Sequence, residues 1–265
     1  MKVIYHANCI DGFTAAWCAW RKYGPSAEYI PAQHGDPPPV VIGDDVLIVD
    51  FSYPREALLE MHNVAQSLRV LDHHKTAEAD LAGLDFCTFD MNRSGAGLAW
   101  DELHETKRPL LVSYVEDRDL WRFALADSAE VNAWIGSWSQ GFEFWSSLAY
   151  DLEESFGACR REGAAVLRGV ERYCREMAKQ ARMVEVAGVV VPVVNAPYIN
   201  TSELVGYLAE QFGPFAVGWF QRGDGKYQYS LRSRGDYDVS AIAKLYGGGG
   251  HHNAAGFTVE SLVHQ

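Results

Sequence analysis

Short apolar runs in the first third of the chain constrain its fold more than any other feature. KVIYH (2–6), VLIVDF (46–51) and LRVLDHH (68–74) are rich in Val, Ile and Leu and too short to be globular helices. The first two are followed by stretches with helical apolar spacing, FTAAWCAWRKYG (13–24) and PREALLEMHNVA (54–65). The third is followed by a polar segment and then FCTFD (86–90). Strands alternating with helices imply right-handed crossovers and a mainly parallel sheet. The expected class is therefore α/β.

The punctuation along the chain suggests two domains. Pro37, Pro38 and Pro39 mark a surface loop, because consecutive prolines neither continue a helix nor sit in a central strand. From Ser94 to Trp121 the pattern is helical, and about 155–182 reads as a long amphipathic helix. After Gly188 strand-like VVVPVVN, AVGWFQ and KYQYSLRS interleave with helical TSELVGYLAEQF and DVSAIAKLYG. The expected organisation is an α/β domain at 1–154, a linker helix at 155–184 and a smaller α/β domain at 185–265.

At 265 residues, with 48% hydrophobic and 22% charged residues, the chain can bury a core in each domain. No apolar run is long enough to span a bilayer, and MKVIYHANCIDG lacks the apolar core of a signal peptide, so a cytoplasmic protein is expected. Cys9, Cys18, Cys87, Cys159 and Cys174 form no CxxC pair, which argues against a disulfide framework or a structural zinc ribbon. With 23 Lys plus Arg against 35 Asp plus Glu, the formal net charge is −12. Such a chain is a poor binder of long duplex nucleic acid. A small phosphate-bearing ligand remains compatible with it, given metal ions and a few local arginines.

Parallel sheets bind ligands beyond the carboxyl ends of their strands. His6 follows KVIY, Asp50 closes VLIV, Asp72 and His73 close LRVL, and Asp11 lies in the first loop before Gly12. Their convergence on one sheet edge is the argument, since a single Asp at a strand end is usually a cap or turn former. Imidazole mixed with carboxylate suits manganese, iron or zinc, and one histidine per ion favours manganese; magnesium or another divalent ion is the alternative. Two such ions would generate hydroxide near neutral pH and stabilise displacement at phosphorus. In YVEDRDLW (114–121), Asp119 or Asp117 would complete the ligand set.

HANCIDG (6–12), VLIVDF (46–51), LDHHKT (71–76), EDRDLW (116–121) and GGGGHHNAAGF (247–257) resemble, in order, the signature blocks of the DHH phosphoesterase superfamily with its DHH-associated C-terminal domain. That superfamily includes the RecJ exonuclease, the nanoRNases and cyclic-dinucleotide phosphodiesterases. The resemblance covers nearly the whole chain. It implies two domains with an active-site cleft between them and a dinuclear, usually manganese, centre in the first.

By the same resemblance, Asp50 bridges both ions, Asp11 and His73 bind one, His6 binds the other, and Asp119 completes the set with Asp117 its rival. His74 would lie near the scissile phosphate, and Asp72 would be a ligand or would orient a histidine. Cys9 stands where many members carry an aspartate; as a thiolate it would favour a softer ion, and its loss as a ligand would weaken one site.

In the C-terminal block the resemblance places Ser230, Arg232, Gly249, Gly250 and His251 at the substrate, with Arg232 and His251 gripping phosphate. Arg234 is a weaker candidate, and the polarity around Asn200 is equally well explained by a helix cap. Ser94, in SGAG, opens a helix and serves either as a cap or as a phosphate site. Of the tryptophans, most of Trp17, Trp20, Trp100, Trp134, Trp138 and Trp145 are expected in packing, and Trp121 beside the acidic block is the candidate for stacking on a base.

The resulting expectation is a phosphoesterase that hydrolyses phosphodiester or phosphomonoester bonds of short oligonucleotides or small nucleotides through a metal-activated hydroxide. The rivals are a polyphosphate or pyrophosphate hydrolase and a nucleotide-binding module whose catalytic site is degenerate at Cys9. A homodimer is compatible with a hydrolase of this size, and no membrane partner is expected.

Overall fold

VLIV lies at the centre of a five-stranded sheet in the computed structural model, which describes residues 1–263. The strands are β1 (Lys2–His6), β2 (Glu28–Ala32), β3 (Asp45–Val49), β4 (Ser67–Asp72) and β5 (Cys87–Phe89). They are all parallel and run in the order β2-β1-β3-β4-β5.

The central strands are continuous apolar runs because both faces are covered. Val3, Leu47, Val49 and Leu71 point to one core, whereas Ile4, Val46, Ile48 and Val70 point to the other. Helices α1 (Ile10–Tyr23), α4 (Gly95–Leu103), α5 (Leu110–Asp119), α6 (Ser128–Gly136) and α7 (Phe142–Glu154) supply the first core. Helix α2 (Arg55–Val64) contributes Leu58 and Met61 to the second, and α3 (Lys75–Asp80) follows β4. Trp17, Trp100, Trp134 and Trp145 are core residues, as their helical spacing suggests.

Helix α8 (Phe156–Ala178) is the long amphipathic helix, and the chain divides into two units after Leu167 within it. The second unit contains β6 (Arg182–Val186), β7 (Val189–Asn195), α9 (Thr201–Phe212), β8 (Phe215–Gln221), β9 (Tyr227–Ser233), α10 (Val239–Leu245), β10 (Gly249–His251) and β11 (Ala254–Val259). Its sheet runs β10-β11-β9-β8-β7-β6 and is antiparallel except between β7 and β8. The expected α/β class, with a parallel N-terminal sheet and a smaller α/β second part, is the observed one.

Two elements carry no clear strand signal in the sequence. β2 includes Pro31 and is an edge strand, the place where a missing amide is tolerated. β6 joins β7 through Ala187 and Gly188, both at positive φ, the geometry of a two-residue type I′ hairpin. The helical stretch from Ser94 to Trp121 is two helices, α4 and α5, interrupted ahead of Pro109. Among the described residues no helix is long and apolar enough to cross a membrane.

Candidate metal centre

Strand order reverses between β1 and β3, so the crevice beyond their carboxyl ends is the topological switch point where such sheets bind ligands. His6 ends β1, and Asp50 follows β3 with φ of 54°, a left-handed conformation that Asp tolerates better than most residues. Asn8, at φ 57°, turns the chain so that Cys9 and Asp11 return beside His6. Gly12 has no room for a side chain, since a Cβ there would strike the His6 backbone and lie 2.7 Å from its Cβ.

Asp50 is the common member of the cluster. Ligand-capable atoms lie within 4.8 Å of one another in three groups that share it: His6, Cys9 and Asp50; Asp11, Asp50 and His73; and Asp50, Asp72 and His74. Asp11, Asp50, Asp72 and His73 are each at most 2% exposed. His73 Nε2 lies 3.0 Å from Asp50 Oδ1, 3.5 Å from Asp119 Oδ2 and 3.7 Å from Asp11 Oδ2, and His6 Nδ1 lies 3.6 Å from Asp50 Oδ2.

These carboxylates fit a cation. Asp11 Oδ2, Asp50 Oδ2 and Asp119 Oδ2 are buried with no hydrogen-bond donor among the described residues, an arrangement that is costly unless a positive charge is brought in. Burial, then the charges of Asp119 and Asp50, push Asp11 well above the usual carboxylate range. Asp50 goes the other way: burial opposes its charge, but the nearby His6 ring and the hydrogen-bonded His73 ring hold it well below that range. For His73, burial disfavours the proton, yet the Asp50 hydrogen bond and the Asp119, Asp50 and Asp11 charges raise it well above the ordinary histidine value. Cys9 is raised by burial and by Asp50, Asp119 and Asp11.

Asp72 is occupied. Its Oδ1 accepts from the His73 amide at 2.7 Å, the His74 amide at 3.3 Å and His74 Nδ1 at 2.7 Å, and its Oδ2 accepts from Ser52 Oγ at 2.6 Å. It thereby fixes the turn after β4 and the orientation of the His74 ring. Asp117 stands apart from the three groups. Its oxygens accept from the Ala124 and Leu125 amides and from Ser128 Oγ, which ties down the loop after α5. Asp119 is the member of that pair beside His73.

The SGAG segment clamps the cluster. Ser94 is fully buried, and its hydroxyl accepts from the Gly97 amide as the cap of α4. The Ala96 amide donates to Asp11 Oδ1 at 3.1 Å, so this helix terminus holds a site carboxylate. A Cβ on Gly95 would fall on the Asp50 side chain, and one on Gly97 would fall on the Glu116 carboxylate.

Glu116 and His34 are residues that the sequence reading missed. Glu116 is 9% exposed and accepts from the Ser94 amide at 3.0 Å and from Arg108 Nη1 at 2.8 Å, tying α5 to the start of α4. His34 follows β2, its ring 5.5 Å from His6, 6.4 Å from His74 and 5.0 Å from Phe51. Desolvation and the two neighbouring imidazoles push its pKa down to about 4. The strand-end rule that finds His6 also points to His34, but Pro31 conceals the strand.

Cys9, Ile10, Asp11, Val115, Arg118, Asp119 and Asn132 line a cavity of about 40 Å³, enough for about one water. Trp121, at φ 56°, packs against Phe123 with ring centroids 5.0 Å apart.

Within the second unit, the predicted substrate residues share one sheet face. Paired residues on neighbouring antiparallel strands point the same way. One row reads His251, Ala254, Arg232 and Ala216, and the next reads Gly249, Gly256, Ser230 and Gly218. Ser230, Arg232 and His251 therefore stand on a floor of Gly and Ala. Arg232 Nε and Nη2 donate to Ser202 Oγ of α9 at 3.1 and 3.0 Å. Gly250, at φ 137°, lies between the rows, and a Cβ there would sit 2.6 Å from Ala254 O. Arg234 pairs with Glu210 at the surface, and Asn200 is the residue preceding α9.

Comparison with known proteins agrees with this architecture. The DHHA1 domain family matches residues 187–264. Uncharacterized protein R106 of Acanthamoeba polyphaga mimivirus is 29% identical over 292 residues, spanning 98% of this chain and 68% of the relative. Among solved structures, the DHH domain of a member of a ribosomal-protein family superposes with a TM-score of 0.57 at 15% identity, covering 98% of this chain and 82% of that one. An exopolyphosphatase-related protein of Bacteroides fragilis gives 0.56 at 14% identity, covering 99% and 87%. A pGpG-specific phosphodiesterase of Vibrio cholerae gives 0.54 at 13% identity, covering 97% and 92%. At such identities the likeness is one of fold.

Proposed function

We propose that this chain is a DHH-type, divalent-metal-dependent phosphoesterase acting on short oligonucleotides or small nucleotides, with manganese the ion that the oxygen-rich part of its Asp50-centred cluster suits. The observation that carries the proposal is the sharing of Asp50 by three groups of ligand-capable atoms at a sheet's switch point. Asp11, Asp50, His73 and Asp119 would hold one ion, and His6 with Asp50 the other. Bound ions of this kind supply an activated water and compensate charge at phosphorus.

The chain's own residues do the rest. His74, with Nδ1 fixed on Asp72, presents the other side of its ring for the phosphate or the leaving oxygen. Arg232, whose Nε and Nη2 now donate to Ser202 Oγ, would bind a phosphate bidentately in exchange, and Ser230, Gly249, Gly250 and His251 would add donors beside it. The net charge of −12 favours small substrates over long duplexes.

The test is hydrolysis of a panel in manganese by the full chain and by Asp50→Ala. The panel comprises a dinucleotide, phosphoadenosine phosphate, a cyclic dinucleotide, a longer oligonucleotide and polyphosphate. Turnover of a short nucleotide that Asp50→Ala abolishes supports the proposal. Turnover of polyphosphate alone would favour the inorganic reading, and equal turnover by both proteins would overturn the assignment of the centre.

A further inference from the structure

The geometry points to Cys9 as a thiolate ligand of the ion that His6 and Asp50 hold, so that this position takes a borderline-soft ion such as zinc or cobalt in preference to manganese. The inference rests on the metal-centre reading and adds an asymmetry to it.

Three observations carry it. First, the Cys9 sulfur, a His6 ring nitrogen and an Asp50 oxygen all lie within 4.8 Å of one another. Ligand atoms about 2.0–2.3 Å from one tetrahedral ion are themselves roughly 3.5 Å apart, and His6 Nδ1 and Asp50 Oδ2 are separated by 3.6 Å. Second, Asp50 Oδ2 is buried in a residue 1% exposed and has no hydrogen-bond donor among the described residues, so a carboxylate oxygen faces this position in need of a cation. Third, Cys9 is half-buried where α1 begins, a position whose usual occupants are Ser, Thr, Asp and Asn. Cysteine is a poor cap and a strong soft-metal ligand, so the residue type fits ligation better than capping.

The other group, Asp11, Asp50 and His73, is rich in oxygen and suits manganese or magnesium. Asp50 would then join one soft and one hard position. Cys18, Cys159 and Cys174 are buried, and none of these, nor Cys87, belongs to a ligand group among the described residues. On ligation the thiol proton passes to solvent, because the thiolate is the ligand.

The experiment is titration of chelator-treated full-length protein with cobalt alone, followed by absorption. The expected result is a sulfur-to-cobalt charge-transfer band in the near ultraviolet that Cys87→Ser retains and that Cys9→Ser and Cys9→Asp lose. Cys9→Asp, which supplies an oxygen and a good helix cap, should also shift the zinc-to-manganese preference toward manganese by on the order of tenfold or more. Cobalt bound with visible ligand-field bands but no charge-transfer band would overturn the thiolate assignment and leave the metal centre standing. Absence of cobalt binding would overturn both. A band that persists in Cys9→Ser would also refute the assignment. Should Cys9→Ser not fold, alkylation of the unaltered chain decides: zinc must protect Cys9 from iodoacetamide, and equal labelling with and without zinc contradicts the inference.

Discussion

His73 Nε2 lies 3.0 Å from Asp50 Oδ1 inside a cage of carboxylates, with Asp119 and Asp11 next nearest to the same nitrogen. Without a metal, the His73 imidazole is the basic group that these acids share, and their charges favour its proton. Removing the ring leaves them facing one another in a buried site. His73→Ala should therefore lower the stability of the metal-free protein by about 3 kcal/mol, measured by denaturant unfolding in chelator. A stability unchanged within error would mean that the carboxylates are already neutral.

The absence of a side chain at Gly95 holds Asp50 in place. Gly95→Ala puts a Cβ onto the Asp50 carboxylate, and the resulting strain should lower stability by about 2 kcal/mol and abolish hydrolysis. Gly169, inside α8 with nothing within 4 Å of an added Cβ, is the control. Gly169→Ala should stabilise by about 0.5–1 kcal/mol through helix propensity. Thermal melts and turnover of the two variants side by side check the pair, and an active Gly95→Ala would refute the packing argument.

Glu116 touches no candidate ligand, yet it fixes the Ser94 amide, and two residues on the Ala96 amide fixes Asp11. Glu116→Ala should lower stability by about 1–3 kcal/mol, since it leaves the buried Ser94 amide without its acceptor while Arg108 keeps Asp101. It should also weaken manganese binding on the order of tenfold. Calorimetric titration with manganese distinguishes this positioning role from a purely structural one, for which affinity in the folded fraction would not change.

Asp238 caps α10, accepting from the Ser240 amide at 2.9 Å and from Ser240 Oγ and the Ala241 amide. Burial opposes its charge, but these bonds prevail and hold the carboxyl below its ordinary value. A depressed folded-state pKa means that the stabilisation is fully present above the unfolded value of about 3.9 and is lost as pH falls through the folded one. Asp238→Ala should cost about 1 kcal/mol at neutral pH, with the gap to wild type closing in strong acid. Unfolding curves across pH check this, and a gap independent of pH would assign the loss to packing.

Much of this was legible because parallel strands concentrate function at their carboxyl ends. His6, Asp50, Asp72 and His73 each close a run that only a buried strand explains, and their meeting follows from strand order. Ser230 and Arg232 came from the resemblance alone, and the structure sets both on one face of β9. What escaped notice lacked a periodic signal. His34 follows a strand interrupted by Pro31, and Glu116 in an acidic run reads as solvated until Arg108 and the bare Gly97 are seen against it. Asp117 and Asp119 share a local sequence, and only the hydrogen bonds of Asp117 to the following loop separate them.

The central claim is that Asp50 joins two metal positions. Isothermal titration of the chelator-treated protein with manganese, with zinc added to fill the softer position, should give two ions per chain. Asp50→Ala should bind no more than one, and weakly. Two ions bound with undiminished affinity by Asp50→Ala would contradict the account.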